Sequence, residues 1–457
     1  MAKRKFEFDL IVLGTGAGGS AAANIAAKNG LKVAVVENDL FGGESPNYGE
    51  IPVRALAHAT KIIFEAKQAS RLGIRASISS YNFQSLKKWK DLAIQRTGAH
   101  DNKAFYEKSG ITTFRGTARF INPHEISVNQ KHLSAEKFLI ATGSKFEMPE
   151  IANLRNVEFY TPRTILNIDR PPKSIFIIGG GAEAVEIAQI LAILGTKVYI
   201  SEISARLLPK EDEEVGITLE NFMVEKMKIF VLPQTRVVAV EKDQLNYKVV
   251  FQRGGSEKFI RVDEVMVAGV RKPNLDIGLE NANVEYSSEG IIVNDFLQTS
   301  AKHIFAAGSV ISEKISTAEA LLQSRIAANN IHNPRRKISP QYNSIPRTIA
   351  TIPEIASVGL TEDDCIKRDL PIKTAIAPLN LIARSNTEGF QNGFVKLICD
   401  RKGKILGGSI VAPEASSAIQ EISLTIKHDL TAQDLAEQPH AFQSWSEAIR
   451  ICASRIK

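Results

Sequence analysis

The chain has 457 residues and a formal net charge of +7, and 44% of its residues are hydrophobic. This composition is typical of a globular protein and excludes a disordered, collagen-like or coiled-coil chain. The length corresponds to about three domains of ~150 residues, each large enough to bury a core.

The basic residues are scattered along the chain. Runs such as residues 87–90 (KKWK) and 335–337 (RRK) are short, which favours a solvated surface over a nucleic-acid interface. A positive net charge suits anionic small molecules such as dinucleotides. No apolar run reaches the roughly 18 residues that a membrane span needs, and the basic start leads into a strand and a glycine-rich turn rather than a signal peptide. We expect a cytoplasmic protein without a membrane span.

A repeated strand, glycine loop, helix and strand is the strongest internal pattern. In the first copy, residues 8–13 (FDLIVL) lead into residues 14–19 (GTGAGG), and the second strand ends at Glu37. The second copy runs from residue 174 to Glu202, and the distance from its second glycine to its acid is 21 residues, as in the first copy. Two matched copies predict two dinucleotide sites, whereas a single glycine motif would be weak evidence.

Each part of the pattern has a role in binding a dinucleotide. The first glycine permits a tight turn, the second lets a pyrophosphate approach the helix N-terminus, and the third position must be small. The acid accepts hydrogen bonds from a ribose. The residues in these roles are Gly14, Gly16, Gly19 and Glu37 in the first copy and Gly179, Gly181, Ala184 and Glu202 in the second.

The acid of the second site also indicates which nucleotide is bound. Glu202 would repel a 2′-phosphate, and Arg206 lies four residues further on rather than beside it. The second site is therefore expected to prefer NAD over NADP.

Nearly the whole chain resembles the flavin-dependent pyridine nucleotide–disulfide oxidoreductases, the family of dihydrolipoamide dehydrogenase, glutathione reductase and mercuric reductase. The two glycine motifs resemble the FAD and NAD sites of that family. Residues 141–143 (ATG) resemble its second flavin motif, and residues 267–274 (VAGVRKPN) and 304–310 (IFAAGSV) resemble the strands that return to the flavin domain. Residues 352–359 (IPEIASVG) resemble the start of the dimerisation domain.

The resemblance implies an α/β fold with two Rossmann-like dinucleotide-binding domains and a C-terminal α+β dimerisation domain. It assigns residues 1–150 to the first part of the FAD-binding domain and residues 273–340 to its return segment. Residues 151–272 would form the NAD-binding domain and residues 345–457 the dimerisation domain, which implies a homodimer.

The sequence pattern also predicts individual elements in the later part of the chain. Residues 308–333 are predicted to be helical. In the last domain, we expect strands at residues 394–399 and 405–411 and a helix at residues 415–428.

The resemblance and the glycine patterns together assign the cofactor-binding residues. For FAD they are Gly14, Gly16, Gly19, Glu37, Gly43, Thr142, Gly143, Gly308 and Ser309. For NAD(H) they are Gly179, Gly181 and Glu202.

The segment that carries the redox disulfide in the family reads GGESPNYGEIP at residues 42–52, which places Ser45 and Glu50 at the two cysteine positions. Neither side chain can form or attack a disulfide. The three cysteines of the chain have no redox or metal-binding spacing, so no metal site is expected. They are Cys365, Cys399 and Cys452.

Two further positions depart from the family pattern. Phe442 stands where the family has its catalytic histidine, although the acid Glu447 is present. His440 matches a non-catalytic histidine of the family. For His440, a structural role is favoured over a two-residue shift into the active site. Ser309 stands where an aspartate holds the ribityl chain of the flavin, and a hydroxyl is a weaker acceptor than a carboxylate. We favour bound FAD over an empty or nucleotide-only site.

The candidate catalytic residues are Arg54, Glu186, Glu50 and Ser45. Arg54 and Glu186 match a Lys–Glu pair that the family places beside flavin N5. Arginine keeps the positive charge of the lysine but carries it on a planar guanidinium group. A structural ion pair between helices is the alternative. Glu50 would tune the flavin potential or relay a proton. An anion there would disfavour anionic reduced flavin unless Glu50 is protonated.

Two functions stay open. The first is an FAD-dependent NAD(P)H oxidoreductase that passes electrons from the flavin directly to a small-molecule, non-disulfide acceptor such as a quinone or oxygen, because the cofactor carries the chemistry. The second is a redox-silent relative that binds nucleotide or serves as a scaffold.

Overall fold

A computed structural model describes residues 5–75, 80–98 and 100–456. The chain divides into two compact units, each built from three stretches. The first unit comprises Met1–Pro52, Trp89–Pro149 and Gly269–Gln341, and the second comprises Val53–Lys88, Glu150–Ala268 and Tyr342–Lys457.

The described residues form both helices and strands. The helices are α1 (Ala17–Lys28), α2 (Glu44–Asn47), α3 (Glu50–Gln68), α4 (Phe83–Arg96), α5 (Lys103–Glu107), α6 (Pro162–Ile165), α7 (Ala182–Ile193), α8 (Glu213–Met227), α9 (Thr317–His332), α10 (Glu362–Lys367), α11 (Ala383–Glu388), α12 (Ala415–Lys427), α13 (Ala432–Glu437) and α14 (Glu447–Ala453). The strands are β1 (Phe8–Leu13), β2 (Val33–Glu37), β3 (Thr112–Arg115), β4 (Ala118–Asn122), β5 (Glu125–Val128), β6 (Lys131–Ile140), β7 (Ser144–Phe146), β8 (Ser174–Ile178), β9 (Lys197–Ser201), β10 (Phe230–Leu232), β11 (Arg236–Asp243), β12 (Asn246–Arg253), β13 (Ser256–Val262), β14 (Glu264–Val267), β15 (Arg271–Pro273), β16 (Tyr286–Ser287), β17 (Gly290–Ile291), β18 (Ile304–Ala306), β19 (Arg347–Ile349), β20 (Glu354–Gly359), β21 (Ile372–Pro378), β22 (Phe394–Asp400) and β23 (Ile405–Ala412).

The first unit is organised around a sheet in which β3, β2, β1 and β6 run parallel and β18 pairs with β6. Strands β5 and β4 extend the sheet antiparallel from β6. Strand β1 is covered on both faces, which explains its continuous apolar sequence. Leu10 and Val12 pack in the cluster that contains α1 and α9, while Ile11 and Leu13 belong to the cluster on the other face, as the two-residue period of a strand requires.

The second unit contains three main sheets. The parallel sheet has the order β10-β9-β8-β14, and an antiparallel sheet has the order β11-β12-β13. The antiparallel five-stranded sheet has the order β19-β20-β23-β22-β21. Helices α12 and α14 bury their apolar side chains in one core with this last sheet.

The predicted fold class is confirmed, and strands β1, β2, β8 and β9 follow the two sequence repeats. The helix predicted over residues 308–333 was wrong at its start, because α9 begins only at Thr317. Ser316 forms a capping box with Glu319, in which each side chain accepts a hydrogen bond from the other backbone N–H. Gly308 has φ 81°, which a right-handed helix cannot accommodate.

None of the helices in the described part of the chain combines the length and the hydropathy that crossing a membrane requires.

Candidate functional site

The first glycine loop joins β1 to α1 in the first unit. Gly14 has φ 97°, and a Cβ atom there would lie 2.2 Å from the carbonyl oxygen of Ala141, so a side chain is excluded. Gly16 is the N-cap of α1, and the first turn contains neither a side-chain cap nor an acidic residue. The positive end of this helix is therefore not neutralised locally, which suits a pyrophosphate.

The second glycine loop repeats this geometry between β8 and α7 in the second unit. Gly179 has φ 106°, and a Cβ atom there would lie 2.5 Å from the carbonyl oxygen of Ala268. Gly181 is the N-cap of α7, and a Cβ atom there would meet no atom within 4 Å. The space over Gly181 is thus open for a close approach of a dinucleotide.

Glu37, at the end of β2, is almost buried with 6% exposure. Its Oε2 accepts hydrogen bonds from the backbone N–H of Thr15 at 2.9 Å and from the Thr15 hydroxyl at 2.6 Å, and its Oε1 accepts from the N–H of Asp39 at 3.0 Å. A carboxylate offers about four acceptor positions, so one is left for a ribose hydroxyl. The Thr15 hydroxyl also accepts from the N–H of Gly42 at 3.0 Å. Thr15 was not predicted from the sequence, because no pattern marks the middle residue of the loop.

Glu202 has the equivalent position in the second unit. Its Oε2 accepts from the N–H of Gly180 and its Oε1 from the N–H of Ser204, both at 2.8 Å. Two acceptor positions are therefore left for ribose hydroxyls. The two glycine loops, together with Glu37 and Glu202, have residues that fit the dinucleotides predicted for them.

The remaining predicted FAD residues lie close to the first glycine loop. A Cβ atom on Gly43 would lie 2.5 Å from the Cα atom of Gly16. The hydroxyl of Thr142 donates to the carbonyl oxygen of Asn274 at 2.9 Å. The first unit thus brings the segment after β2 and the segment after β6 to the same end of the parallel sheet.

The segment after β18 also reaches this end of the sheet. A Cβ atom on Gly143 would lie 3.8 Å from the hydroxyl oxygen of Ser309. The backbone N–H of Gly308 donates to Oε1 of the buried Gln323 at 2.7 Å. Ser309 is therefore next to the second predicted flavin motif, and Gln323 fixes the backbone that presents it.

Ser45 and Glu50 are in contact in the first unit. Ser45 lies in α2, Glu50 is the first residue of α3, and the Ser45 hydroxyl donates a hydrogen bond to Oε2 of Glu50. The adjacent Glu44 faces Arg271, with Nη1–Oε1 and Nη2–Oε2 distances of 3.4 and 3.2 Å. Arg271 is held in turn by Ser144, to whose carbonyl oxygen it donates at 2.8 Å. Arg271 lies in the segment 267–274, which was predicted only as a strand returning to the flavin domain. Its contact with Glu44 was not predicted.

Arg54 and Glu186 both contact the beginning of the last domain, within the second unit. Arg54 donates from Nη2 to the hydroxyl of Thr348 at 2.9 Å, and its Nη1 lies 3.8 Å from Oε1 of Glu354. Oε1 of Glu186 accepts from the backbone N–H of Ala350 at 2.6 Å. The contacts of Arg54 with Thr348 and Glu354 were not expected, since nothing local in the sequence connects them.

His440 has a side-chain and a backbone partner. Its side chain is 5% exposed, its Nε2 lies 2.8 Å from Oε1 of Glu421, and its Nδ1 lies 2.9 Å from the carbonyl oxygen of Gln438. Burial raises the pKa of the Glu421 carboxyl, and the neighbouring His440 opposes this effect. Phe442, by contrast, is 79% exposed.

The three cysteines are all buried in the second unit. Burial raises the thiol pKa of each of them, and it raises the pKa of Cys452 to about 12. The thiolate is the nucleophilic form of cysteine, and burial disfavours it at all three positions.

An acidic cluster lies elsewhere in the second unit. Carboxylate oxygens of Asp212, Glu214 and Glu362 lie within 4.8 Å of one another. The buried Lys396 Nζ is 3.4 Å from Asp212, 2.7 Å from Glu214 and in contact with Glu362. The ammonium group supplies the positive charge that these carboxylates share.

Comparison with known proteins agrees with the geometry. The family described as pyridine nucleotide-disulphide oxidoreductase matches residues 8–324, and the dimerisation domain of that family matches residues 345–452. The members of this family and the relatives below are oxidoreductases that use FAD and NAD(P)H.

The similarity to individual proteins extends over the whole chain. A dihydrolipoyl dehydrogenase of Thermus scotoductus is 33% identical over 456 residues, covering 98% of this chain and 97% of the relative. A mercuric reductase of Lysinibacillus sphaericus is 30% identical over 450 residues, covering 98% of this chain and 82% of the relative. The crystal structure of LpdA from Mycobacterium tuberculosis superposes with a TM-score of 0.87 at 24% identity, covering 98% and 99% of the two chains, and supports the fold.

Proposed function

Because the chain belongs to the pyridine nucleotide-disulphide oxidoreductase family, we propose that it is an FAD-dependent NADH oxidoreductase whose electron acceptor is not a disulfide. The acceptor in this proposal is a small molecule, with a quinone as the first candidate and oxygen as the second. The general class, an FAD- and NAD(P)H-dependent oxidoreductase, is that of the family itself.

The contact between Ser45 and Glu50 carries this proposal. These residues occupy the place where the family resemblance puts the two redox cysteines, and they form a hydroxyl–carboxylate hydrogen bond there. The sequence holds only three cysteines, and burial raises the pKa of each of their thiols. A disulfide relay needs an accessible thiolate, so electrons are proposed to leave the cofactor without one.

Both nucleotides have proposed binding residues. Gly14, Gly16, Glu37 and Ser309 would hold FAD, and the second glycine loop with Glu202 would hold NADH. FAD bound by these residues would supply the two-electron redox chemistry between NADH and the acceptor. Arg54, which contacts Thr348 and Glu354, supplies a permanent positive charge in this proposal.

NADH is the proposed nucleotide rather than NADPH. The ribose rule supports this choice, since an acid at the position of Glu202 would repel a 2′-phosphate. The Arg206 guanidinium donates to the carbonyl oxygens of Leu208 at 3.4 Å and Glu211 at 2.9 Å. It therefore binds the backbone of its own loop. We expect NADH to bind at least about tenfold more tightly than NADPH, a difference of ~1.4 kcal/mol, in a titration followed by protein fluorescence.

Rapid mixing of the purified protein with NADH without oxygen tests the proposal. We expect the visible flavin band to bleach, and to return when a quinone is added. Lipoamide and glutathione disulfide serve as matched acceptors that should not restore it. A band that NADH leaves unchanged, or efficient turnover of either disulfide, contradicts the proposal.

A redox-silent nucleotide-binding or scaffold protein is the second candidate. Four departures from the family pattern favour it: Ser45 and Glu50 at the two cysteine positions, Ser309 at an aspartate position and the exposed Phe442 at a histidine position. A colourless protein that cannot be reconstituted with FAD would support this candidate. A homodimer formed through residues 345–457 and a cytoplasmic location belong to both candidates, and light scattering tests the dimer.

A further inference from the structure

The segment after β2 carries two carboxylates with different surroundings. Glu44 begins α2 and Glu50 begins α3. A tight turn lies between them. In this turn, the N–H groups of Tyr48 and Gly49 both donate to the carbonyl oxygen of Glu44, at 2.8 and 2.9 Å. The difference between the two acids therefore arises from their side-chain partners.

Glu44 has a cationic partner. Both of its carboxylate oxygens face the guanidinium of Arg271. Arg271 is also bound to the hydroxyl and carbonyl oxygens of Ser144, at 3.1 and 2.8 Å. An arginine can only donate hydrogen bonds, so both carboxylate oxygens of Glu44 act as acceptors in this pairing.

Glu50 is arranged differently. Its side chain is exposed, and among the described residues its partner is the hydroxyl of Ser45 rather than a cation. A hydroxyl both donates and accepts hydrogen bonds. Ser45 donates to the ionised carboxylate and accepts from the protonated acid, so the contact survives either state of Glu50.

We propose that Glu50 supplies a proton to the electron acceptor, with Ser45 as its hydrogen-bonding partner, and that the acceptor is a quinone-type molecule that takes up protons together with electrons. The inference rests on the proposed function. Reduction of a quinone to a hydroquinone consumes two electrons and two protons. The hydride that breaks from NADH provides both electrons and one proton, Glu50 provides the other, and water returns a proton to Glu50.

The test compares two acceptors that differ in their need for protons. NADH-driven turnover is measured with 2-methyl-1,4-naphthoquinone and with ferricyanide, which takes one electron and no proton. In Glu50→Gln, which keeps a polar side chain opposite Ser45 but cannot donate an acidic proton, we expect the quinone-to-ferricyanide rate ratio to fall by roughly a hundredfold, the scale of general acid catalysis. Glu50→Asp should recover part of the ratio.

A second readout separates proton supply from a change in the cofactor. The FAD content and the flavin midpoint potential of Glu50→Gln should equal those of the wild-type protein. Glu44→Gln is the matched control, since it removes the neighbouring carboxylate, and its rate ratio should stay at the wild-type value.

The outcomes are distinct. An unchanged ratio in Glu50→Gln, an equal loss with both acceptors, or a shifted midpoint potential overturns the inference while the proposed function stands. Failure of NADH to bleach the wild-type flavin overturns the proposed function, and the inference with it.

Discussion

The hydroxyl of Ser45 donates a hydrogen bond to a carboxylate oxygen of Glu50, across the turn between α2 and α3. Two oxygen side chains therefore meet in the segment for which the family resemblance implies a pair of sulfur atoms. Such a pair exchanges protons but cannot store two electrons as a disulfide does.

Reduction by NADH should expose no new thiols. With a chromogenic disulfide reagent, we expect almost no reaction of the native protein and three thiols per chain after denaturation, since Cys365, Cys399 and Cys452 are buried and burial raises their pKa. Titration before and after addition of NADH checks this. Two additional thiols in the NADH-reduced native protein would reveal a redox disulfide and contradict the prediction.

Alanine substitutions at two glycines should separate the two nucleotide sites. Gly181 has φ −76° and a Cβ atom there meets nothing within 4 Å, so Gly181→Ala should fold normally but crowd the bound pyrophosphate. We expect the Kd for NADH to rise about tenfold or more, a loss of ~1.4 kcal/mol or more, with FAD content unchanged.

Gly16→Ala is the matched variant for the first site. Gly16 has φ −69°, and its Cβ atom would lie 3.7 Å from the Cα atom of Gly43, so the fold tolerates it. We expect loss of FAD with NADH binding retained. FAD absorbance and NADH titration of both variants measure these effects. If each variant affected both nucleotides equally, the result would argue against two separate nucleotide sites.

Removing the ammonium group of Lys396 should strongly destabilise the protein. The side chain is 1% exposed and faces Asp212, Glu214 and Glu362. In Lys396→Met these carboxylates lose their shared cation, and the free energy of unfolding should fall by about 3–5 kcal/mol. Guanidinium denaturation followed by circular dichroism gives the value.

An exposed ion pair in the same domain provides the comparison. Lys404 lies 2.6 Å from Asp429, and both side chains are largely accessible. Lys404→Met should therefore cost less than about 1 kcal/mol. Similar decreases in the free energy of unfolding of the two variants would mean that burial does not increase the contribution of Lys396 to stability.

Acidification should weaken the first unit through His303. Burial lowers the pKa of this imidazole from its ordinary value of 6.5, the nearby His124 acts in the same direction, and the hydrogen bond to the Pro123 carbonyl opposes both. The unfolded chain therefore binds the proton first as the pH falls. The free energy of unfolding should decrease below about pH 6.5 until the folded pKa is passed.

Denaturation of wild-type protein and His303→Gln at pH 7.5 and 5.5 measures this contribution. A glutamine side chain does not titrate, so the variant should lose less stability between the two pH values than the wild-type protein. Identical losses would show that His303 does not contribute to the pH dependence.

Local features were predictable from the sequence alone. The two glycine loops were correctly placed, because the positive φ angles of Gly14 and Gly179 and the fixed spacing to Glu37 and Glu202 follow from rules that operate within one strand–helix–strand unit. The presence of only three cysteines, none in residues 42–52, is likewise a property of the sequence itself.

The partners of the charged side chains were decided only by the tertiary structure. Glu44 meets Arg271 across 227 positions and Arg54 meets Thr348 across 294, and no local periodicity connects residues so far apart. Folding determines which of two similar carboxylates receives a guanidinium and which receives a hydroxyl, because side chains meet according to how strands and helices pack and not according to their order in the chain. That assignment separates Glu44, which faces a guanidinium, from Glu50, which faces a hydroxyl and exchanges protons in our proposal.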